Sequence, residues 1–289
     1  MRLALAQIVS SPDRDTNVAR ALRAIDEAAA AGADCVVFAE VVLDRFFPVR
    51  PGAAACDAPE GSCGPAARAF SEPIPGPTVE LLQAKAREHE MVIVFNLYER
   101  VGEGDDTLYY DSSPVIDADG SLLGVTRMLH ITDYALFHET DYYDPGDTGA
   151  PVFDTRVGKI GVAICYDRHY PEYMRALAIA GADLVVVPQA GALGEWPEGL
   201  YEAELRVAAF QNGYFAALAN RVGDEGELVF GGESFVVDPE GRVLARGAEM
   251  EEDLVVVDID LSRCAESPAR QLFLRDRRPE LYRDWVEPT

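Results

Sequence analysis

Residues 159–172 read K-I-G-V-A-I-C-Y-D-R-H-Y-P-E, an apolar run that changes abruptly into polar residues. The run 162–164 predicts a buried strand, and Pro171 suits the first turn of a helix. The thiol of Cys165 therefore lies where a strand turns sharply into a helix. There a side chain can project from the sheet end, beside a backbone N–H that can hold a developing oxyanion. A small core cysteine is the alternative interpretation, since free cysteines are often buried.

The length and composition indicate a globular protein. The chain has 289 residues, 48% of them hydrophobic, enough for one large α/β domain or two small ones. It has no apolar run of about 18 residues and no signal-peptide core, so we expect a cytoplasmic protein without a transmembrane helix. The five cysteines form no zinc-ligand pattern and no disulfide framework, although two share one loop. They are Cys35, Cys56, Cys63, Cys165 and Cys264.

The charge is strongly acidic. The formal net charge is −25, and only Lys85 and Lys159 among the 25 basic residues are lysines. Such a surface should repel nucleic acid and anionic membranes. Because the acidic residues are spread along the chain, we interpret them as a means of solubility, as in a salty cytoplasm.

Helix and strand patterns alternate along the whole chain. The first half predicts strands at 3–8, 35–38, 91–97, 108–116 and 122–131, helices at 17–31 and 78–90, the latter capped by Thr78, and a long loop at 41–76. The second half predicts strands at 151–153, 162–164, 184–187, 214–219, 228–237, 243–245 and 254–259, and helices at 171–180 and 197–212. We assign residues 1–262 to one domain and residues 263–289 to a tail that packs on the domain or on a partner subunit.

An internal echo bears on the fold class. Residues 31–40 and 180–189 each contain a helix end, a glycine turn and a buried strand. The echo predicts two similar halves, each a sheet with helices, packed sheet on sheet. The expected fold is α/β, a four-layer α-β-β-α sandwich.

A second chemical group ends a buried strand. Glu40 follows the strand 35–38, so its carboxylate lies at a sheet end like the thiol of Cys165. Partial burial there should raise its pKa toward the range that a general base needs near neutral pH. Taken alone, Glu40 is equally an ordinary strand-end charge.

Successive sequence blocks together resemble the nitrilase superfamily of carbon–nitrogen hydrolases. They are residues 36–40, 127–130, 137–147, 162–167 and 219–235, within a likeness that runs from about residue 2 to residue 260. The resemblance implies the α-β-β-α fold, a homodimer or larger homo-oligomer, and a Glu-Lys-Cys triad. It further implies hydrolysis of a non-peptide C–N bond of a small molecule through a cysteine thioester, with no cofactor and no metal.

Carried across by position, the resemblance assigns the site residues. It makes Cys165 the nucleophile, Glu40 the general base, Glu139 a supporting glutamate, and Tyr166 the source of the backbone N–H beside the nucleophile. The sequence departs from the family at residues 127–130, Arg-Met-Leu-His, where the family has Arg-Lys-x-His.

The departure places Met128 where the family has its catalytic lysine. A thioether donates no hydrogen bond, and loss of one oxyanion donor costs roughly 3–4 kcal/mol. We hypothesise that a protonated Glu40 or Glu139, or Arg127 reaching in, supplies the missing donor. A catalytically silent member that binds a small molecule, or acts as a regulatory protein, is the alternative from another class.

The substrate is less defined by the sequence. Residues 168–171 and 213–223 resemble the β-ureidopropionase-like and other N-carbamoyl amidohydrolase branches more than nitrile hydrolases, which stay a second alternative. Arg168 or Arg221 could hold a substrate carboxylate bidentately. Gln189, Glu195 and Trp196 are candidates for the pocket wall, and Glu195 would suit a substrate that carries an amine.

Overall fold

The computed structural model describes residues 1–52 and 64–286. Cys56 and Cys63, whose pairing the sequence left open, lie outside these ranges. Within them, no helix has the length and the apolar character needed to cross a membrane.

The elements follow the predicted alternation. The first half contains β1 (Arg2–Gln7), α1 (Arg14–Ala30), β2 (Cys35–Phe38), α2 (Pro77–His89), β3 (Val92–Val94), β4 (Leu97–Val101), β5 (Leu108–Ile116) and β6 (Leu122–Arg127). Next come β7 (Asp133–Tyr134), β8 (Phe137–His138), β9 (Val152–Thr155), β10 (Gly158–Val162), α3 (Pro171–Ile179), β11 (Leu184–Gln189), α4 (Leu200–Asn212) and β12 (Phe215–Asn220). The last are β13 (Val222–Asp224), β14 (Val229–Gly231), β15 (Phe235–Val237), β16 (Val243–Arg246), β17 (Asp253–Asp258), α5 (Arg263–Glu266) and α6 (Pro279–Val286).

Two mixed sheets form the centre of the molecule. The first has the order β17-β1-β2-β3-β5-β4 with β6 beside β5, and the second has the order β16-β15-β12-β11-β10-β9. One apolar core lies between the sheets, a second lies under α1 and α2, and a third lies under α3 and α4. These layers confirm the predicted α-β-β-α sandwich.

The internal echo corresponds to two equivalent strands. β2 and β11 are inner strands of their sheets and pair in parallel with the neighbouring strands. Each follows a glycine in the left-handed region, Gly32 (φ 76°) and Gly181 (φ 95°), which ends the preceding helix without a Cβ penalty. Glu40 and Gln189 therefore occupy related positions in the two halves.

Several predicted boundaries were wrong, each for a local reason. Thr78 does not cap α2; the helix follows Gly76, and the carboxylate of Glu72 accepts the Thr78 N–H at 2.9 Å. α4 begins at Leu200 and not at residue 197, because Gly199 is left-handed (φ 79°). The strand predicted at 228–237 is divided into β14 and β15, since Gly232 and Glu233 both have positive φ.

Two further strands differ in the half that contains Glu40. The segment predicted as one strand at 91–97 is β3 followed by β4, and Asn96 lies between them. The strand predicted at 122–131 ends at Arg127, so Met128 lies just beyond β6. Both differences place a residue just outside a regular strand, Asn96 after β3 and Met128 after β6. Both residues lie near the end of β2, where the candidate site lies.

The beginning of the predicted tail packs on the domain. Cys264 and Ala269 are fully buried. The guanidinium of Arg270 donates to the carbonyl oxygens of Gly213 (2.9 Å) and Ala182 (2.6 Å). Residues 263–273 thus extend the layer that contains α4.

Candidate active site

Cys165 lies on a strained turn at the end of β10. Its φ of 41° is in the left-handed region, which a non-glycine residue adopts only at a cost of about 1–3 kcal/mol. A 3-10 turn at Cys165–His169 follows, and α3 begins two residues later. The thiol is 6% exposed. This sharp strand-to-helix turn is the nucleophile geometry that the sequence predicted.

Glu40 lies on a second strained turn, just past β2. It is fully buried, and the next residue, Val41, has a φ of 44° although it is β-branched. The Val41 N–H donates to Asn96 Oδ1 at 2.7 Å. Arg221 Nη1 donates to the carbonyl oxygens of Glu40 (2.9 Å) and Val41 (2.6 Å). Arg221 therefore holds the backbone turn of the predicted base.

Glu139 opens a 3-10 turn directly after β8 and is fully buried. Its carbonyl oxygen accepts the N–H groups of Tyr142 and Tyr143, both at 2.9 Å. No lysine, arginine or amide side chain among the described residues donates to the carboxyl oxygens of Glu40 or Glu139. Buried carboxyl oxygens without such a partner are costly in a structural role and point to a functional one.

The structure brings Glu40, Glu139 and Cys165 together. Burial raises the pKa of Glu40 to about 7, and the nearby Glu139 carboxyl adds to this effect. Burial also raises the pKa of Glu139 and that of the Cys165 thiol well above their ordinary values, and Glu40 is the largest charge that acts on the thiol. The resting thiol is therefore neutral, so its proton must leave during the attack on substrate.

Met128 is fully buried beside this cluster and supplies no charge. Its backbone N–H donates to the carbonyl oxygen of Asp111 at 2.9 Å, and its own carbonyl accepts the Gly146 N–H at 2.8 Å. Neither lysine replaces it. Lys85, on α2, is paired with Asp26 of α1, and Lys159 is exposed on β10.

Arg127 does not reach into the site, so that part of our donor hypothesis was wrong. Its Nε and Nη2 bind the carboxylate of Glu99 at 2.8 Å, and its Nη1 binds Asp147 at 2.8 Å. The guanidinium also lies over the ring of Tyr110, 4.4 Å from the centroid. The alternation of side chains along β6 accounts for this outward direction.

Sequence reasoning missed a third buried carboxyl, that of Asp111 on β5. It is fully buried, and Asn96 Nδ2 donates to its Oδ1 at 2.5 Å. No N–H or hydroxyl group among the described residues donates to its Oδ2, whose carboxyl lies against that of Glu40, and the buried hydroxyl of Tyr143 has no hydrogen-bond partner there. The run Asp-Ser-Ser inside the apolar strand 108–116 was the available signal, since a charged residue is seldom buried without a function.

Arg168 and Gln189 support the nucleophile turn. Arg168 Nη1 donates to the carbonyl oxygen of Cys165 and to Gln189 Oε1, both at 2.7 Å. The same guanidinium pairs with Glu204 at 3.3 Å and lies 4.7 Å from the centre of the Tyr201 ring. These contacts fix Arg168 as a brace of the turn that holds the thiol.

Asp167 ties the segment after Met128 to the same turn. Its buried carboxylate accepts His130 Nδ1 at 2.6 Å, the His130 N–H at 3.1 Å and the Leu129 N–H at 3.2 Å. The His130 ring stacks on Tyr170 at a centroid distance of 3.5 Å. The last residue of the 127–130 block is thus anchored to the residues that follow Cys165.

Of the predicted pocket-wall residues Glu195 and Trp196, Glu195 lies near the thiol. The Glu195 carboxylate accepts the hydroxyls of Tyr134 and Tyr201 and the Ala192 N–H. Its charge is among those that raise the pKa of Cys165, after burial and the two site glutamates. Glu195 also lines an open cavity of about 590 Å³ together with Tyr134.

Trp196, the residue after Glu195, packs among aromatic side chains. Its ring lies 5.5 Å from that of His169 and 5.9 Å from that of Tyr134. The ring of Tyr166, the residue after the nucleophile, lies 5.1 Å from that of His169. The Trp196 Nε1 group is buried without a hydrogen-bond partner among the described residues, so it can donate to a substrate.

The sequence model of the carbon-nitrogen hydrolase family matches residues 2–269. The chain is 32% identical over 290 residues to an N-carbamoylputrescine amidase of Arabidopsis thaliana, covering 96% of this chain and 92% of the relative. A carbon-nitrogen hydrolase from Helicobacter pylori G27 has a similar structure, with a TM-score of 0.88, 29% identity and coverage of 99% of this chain and 98% of the other.

A second solved structure bears on the cysteine. It is an amidase mutant from Nesterenkonia sp. AN1 that shows Michael addition of acrylamide at its active-site cysteine. Its TM-score is 0.78 and its identity 28%, with coverage of 99% of this chain and all of the other. The chain belongs to the carbon-nitrogen hydrolase family, which confirms the resemblance. It is an enzyme that hydrolyses a non-peptide C–N bond of a small molecule.

Proposed function

We propose that this enzyme removes the carbamoyl group from an N-carbamoyl amine, with Cys165 as the nucleophile and Glu40 as the base. The products are the free amine, ammonia and carbon dioxide. One observation carries the choice of substrate class. Glu195, which lies near the thiol and lines an open cavity, is bound by hydroxyl and amide donors and by no cation in the described part of the chain.

The first chemical step forms the thioester. The sulfur of Cys165 attacks the carbonyl carbon while the ionised Glu40 takes the thiol proton. The oxygen of the tetrahedral intermediate accepts the backbone N–H of Tyr166. Glu40 then gives the proton to the leaving nitrogen, the C–N bond breaks and a thioester remains on sulfur.

The second step hydrolyses the thioester and regenerates the free enzyme. Glu40, ionised again, takes a proton from a water molecule whose oxygen attacks the thioester. The C–S bond breaks and the thiol regains its proton from Glu40. The released carbamic acid then decomposes to ammonia and carbon dioxide. Glu139 faces the same space and sustains the raised pKa of Glu40, which keeps the base effective near neutral pH.

The charged groups around the site favour an amine over a carboxylate on the remote end of the substrate. Arg168 and Arg221 each bind the backbone turn of a site residue, so both guanidinium groups are already engaged by the protein itself. Glu195 lines the cavity, and no lysine or arginine among the described residues pairs with it. The N-carbamoylputrescine amidase relative agrees with this class by its name.

A carboxylate-bearing N-carbamoyl compound is the second candidate, because Arg168 Nη2 is buried and has no hydrogen-bond partner in the described part of the chain. A cytoplasmic location stays a prediction from the sequence, and assembly into a homodimer or larger homo-oligomer stays a prediction from the resemblance.

Ammonia release from a substrate panel tests the proposal. The panel contains N-carbamoylputrescine, N-carbamoyl-β-alanine, a simple amide and a nitrile. We expect the amine-bearing compound to have the highest kcat/KM, and Glu195→Gln to raise its KM about tenfold or more, the usual worth of a buried charge contact. The matched control is Glu198→Gln, on an exposed glutamate of the same loop. A preference for N-carbamoyl-β-alanine would contradict the proposed class.

A further inference from the structure

Three buried carboxyls surround the nucleophile without a cation among them. Glu40, Asp111 and Glu139 are all fully buried. Within residues 1–52 and 64–286, none of the three forms an ion pair with a lysine or an arginine. Arg221 is the cation whose field reaches Glu40, and it is itself paired with Glu225. Three ionised carboxylates in such a place would repel each other strongly.

The hydrogen bonds of Asn96 fix how Asp111 is oriented. Asn96 Oδ1 must accept, since the Val41 N–H donates to it at 2.7 Å. Its Nδ2 therefore points toward Asp111 Oδ1 and donates at 2.5 Å. Asp111 Oδ1 is thereby an acceptor, which leaves Oδ2 as the oxygen able to carry a proton.

The neighbours of the two carboxyls decide which one is ionised. Glu40 is favoured as an anion by the charge of Arg221 and by the thiol of Cys165. The charged groups that act on Asp111 are acids, first Glu40 and then Asp167. The proton shared by the two carboxyls therefore belongs on Asp111.

We propose that Asp111 carries a proton on Oδ2, donates it in a hydrogen bond to the ionised Glu40, and so supplies the charge balance that Met128 cannot. Asp111 is a positioning residue, because it acts through Glu40. The lysine ammonium of the family is replaced in this chain by one neutral acid. The kinetic part of this inference rests on the proposed function, whereas the protonation state of Asp111 does not.

The pKa directions agree with this arrangement. Burial, and then Glu40, raise the pKa of Asp111 well above its ordinary value, while burial raises that of Glu40 to about 7. The other titratable or charged groups that face the pair are on three neighbouring segments. They are Glu139, Tyr143, Cys165, Asp167 and Arg221.

The active form is then the pair with one proton. When pH falls below about 7, Glu40 gains a proton and the base is lost. When pH rises far enough to remove the proton from Asp111, both carboxyls are charged and the ordered hydrogen bond is lost. The account predicts a bell-shaped dependence of kcat/KM on pH, in which Asp111 sets the alkaline limb.

Infrared difference spectroscopy of the intact enzyme tests the protonation state without any substrate. At pH 7.5 the difference between wild type and Asp111→Asn should contain one carboxylic acid carbonyl band, which shifts in D₂O. Asp119→Asn, on the exposed turn of the same hairpin, is the matched control and should remove no such band. Absence of the acid band from the Asp111→Asn difference would overturn the proposal, whatever the enzyme hydrolyses.

Kinetics of the same variants test the role. In Asp111→Asn an amide can still donate to Glu40 but cannot lose its proton, so the alkaline limb should disappear while kcat falls less than about tenfold. Asp111→Leu removes the donor, and we expect a loss on the order of a hundredfold or more. If Asp111→Asn folds, as thermal unfolding would establish, and keeps the alkaline limb of the wild type, Asp111 does not hold the proton and the proposal is wrong.

Discussion

The backbone N–H of Met128 donates to the carbonyl oxygen of Asp111 at 2.9 Å. The residue in the lysine position and the unexpected buried acid are therefore direct neighbours across β5 and the end of β6. A cation is absent where the family resemblance implies a lysine, and an additional carboxyl is present beside the same place. One proton on that carboxyl accounts for both features together.

Restoring the ammonium should test this relationship. In Met128→Lys, the new Nζ would meet carboxyls that lack a cation, so we expect Glu40 to ionise at lower pH and the acid limb of kcat/KM to move down by about one unit or more. Turnover of a simple amide should rise at least tenfold, since an oxyanion donor is gained. Met128→Leu is the control and should keep the wild-type pH profile. Loss of activity in Met128→Lys alone would show that this site works only without the lysine.

Glu40 should control the acid limb. Its pKa of about 7 predicts that kcat/KM doubles or more for each half unit of pH well below 7 and levels off above it. Glu40→Gln should lower kcat by on the order of a hundred- to ten-thousandfold, the usual contribution of a general base. The pH profile of kcat/KM for the best substrate checks this. An acid limb that lies near pH 4 would contradict a buried base of raised pKa.

The same carboxyl should make the protein less stable as pH rises. The pKa of Glu40 is raised from 4.5 to about 7, so between these values the folded state binds a proton that the unfolded chain releases. By linkage, its contribution to the free energy of unfolding decreases as pH rises from about 4.5 through 7. Glu40→Gln removes this loss, and thermal unfolding should show a Tm gain of a few degrees at pH 8.

At pH 4.5 the same comparison should give a much smaller gain, because wild-type Glu40 is then protonated in the folded state and about half protonated in the unfolded chain. Glu198→Gln serves as the exposed control at both values. A Tm gain for Glu40→Gln that is equal at pH 4.5 and pH 8 would show that Glu40 is not neutral in the folded protein at low pH.

Cys165 should differ from the other buried thiols in its response to substrate. Cys35 and Cys264 are also free and buried, and both have a pKa raised chiefly by burial. We expect iodoacetamide to label Cys165 at a rate that substrate slows, because, of the three thiols in the described part of the chain, Cys165 is the one that faces Glu40. Peptide mapping of the labelled enzyme, with Cys264→Ala as the matched control, measures the difference. If substrate slowed the labelling of all three thiols equally, the protection would reflect a general loss of access to the fold and would contradict a specific role for Cys165.

The sequence predicted those parts of the structure that depend on local pattern and on motif order. The strand ending before Glu40 and the turn at Cys165 follow from apolar runs that stop at polar residues, whereas the position of Glu139 came from the family resemblance. The four-layer packing was suggested by the echo of 31–40 in 180–189 and implied by the same resemblance. Both strained turns, at Val41 and Cys165, occur at functional positions, as is usual for such strain.

What the sequence could not predict depends on contacts between distant segments. Asp111 becomes part of the site only because β5 lies between β3 and β6, which brings Asn96 and Met128 to it. The outward direction of Arg127 and the brace formed by Arg168 likewise depend on partners far along the chain. Single-residue patterns carry no information on such neighbours.

The central claim is that Cys165 forms a thioester with a small carbamoyl or amide substrate. The most direct measurement is ammonia release from the preferred substrate, together with the intact mass of the enzyme quenched in acid during turnover. The account predicts a covalent adduct on Cys165 in the wild type and in Cys264→Ala, and neither adduct nor ammonia release in a folded Cys165→Ala. Full activity of Cys165→Ala would contradict the account.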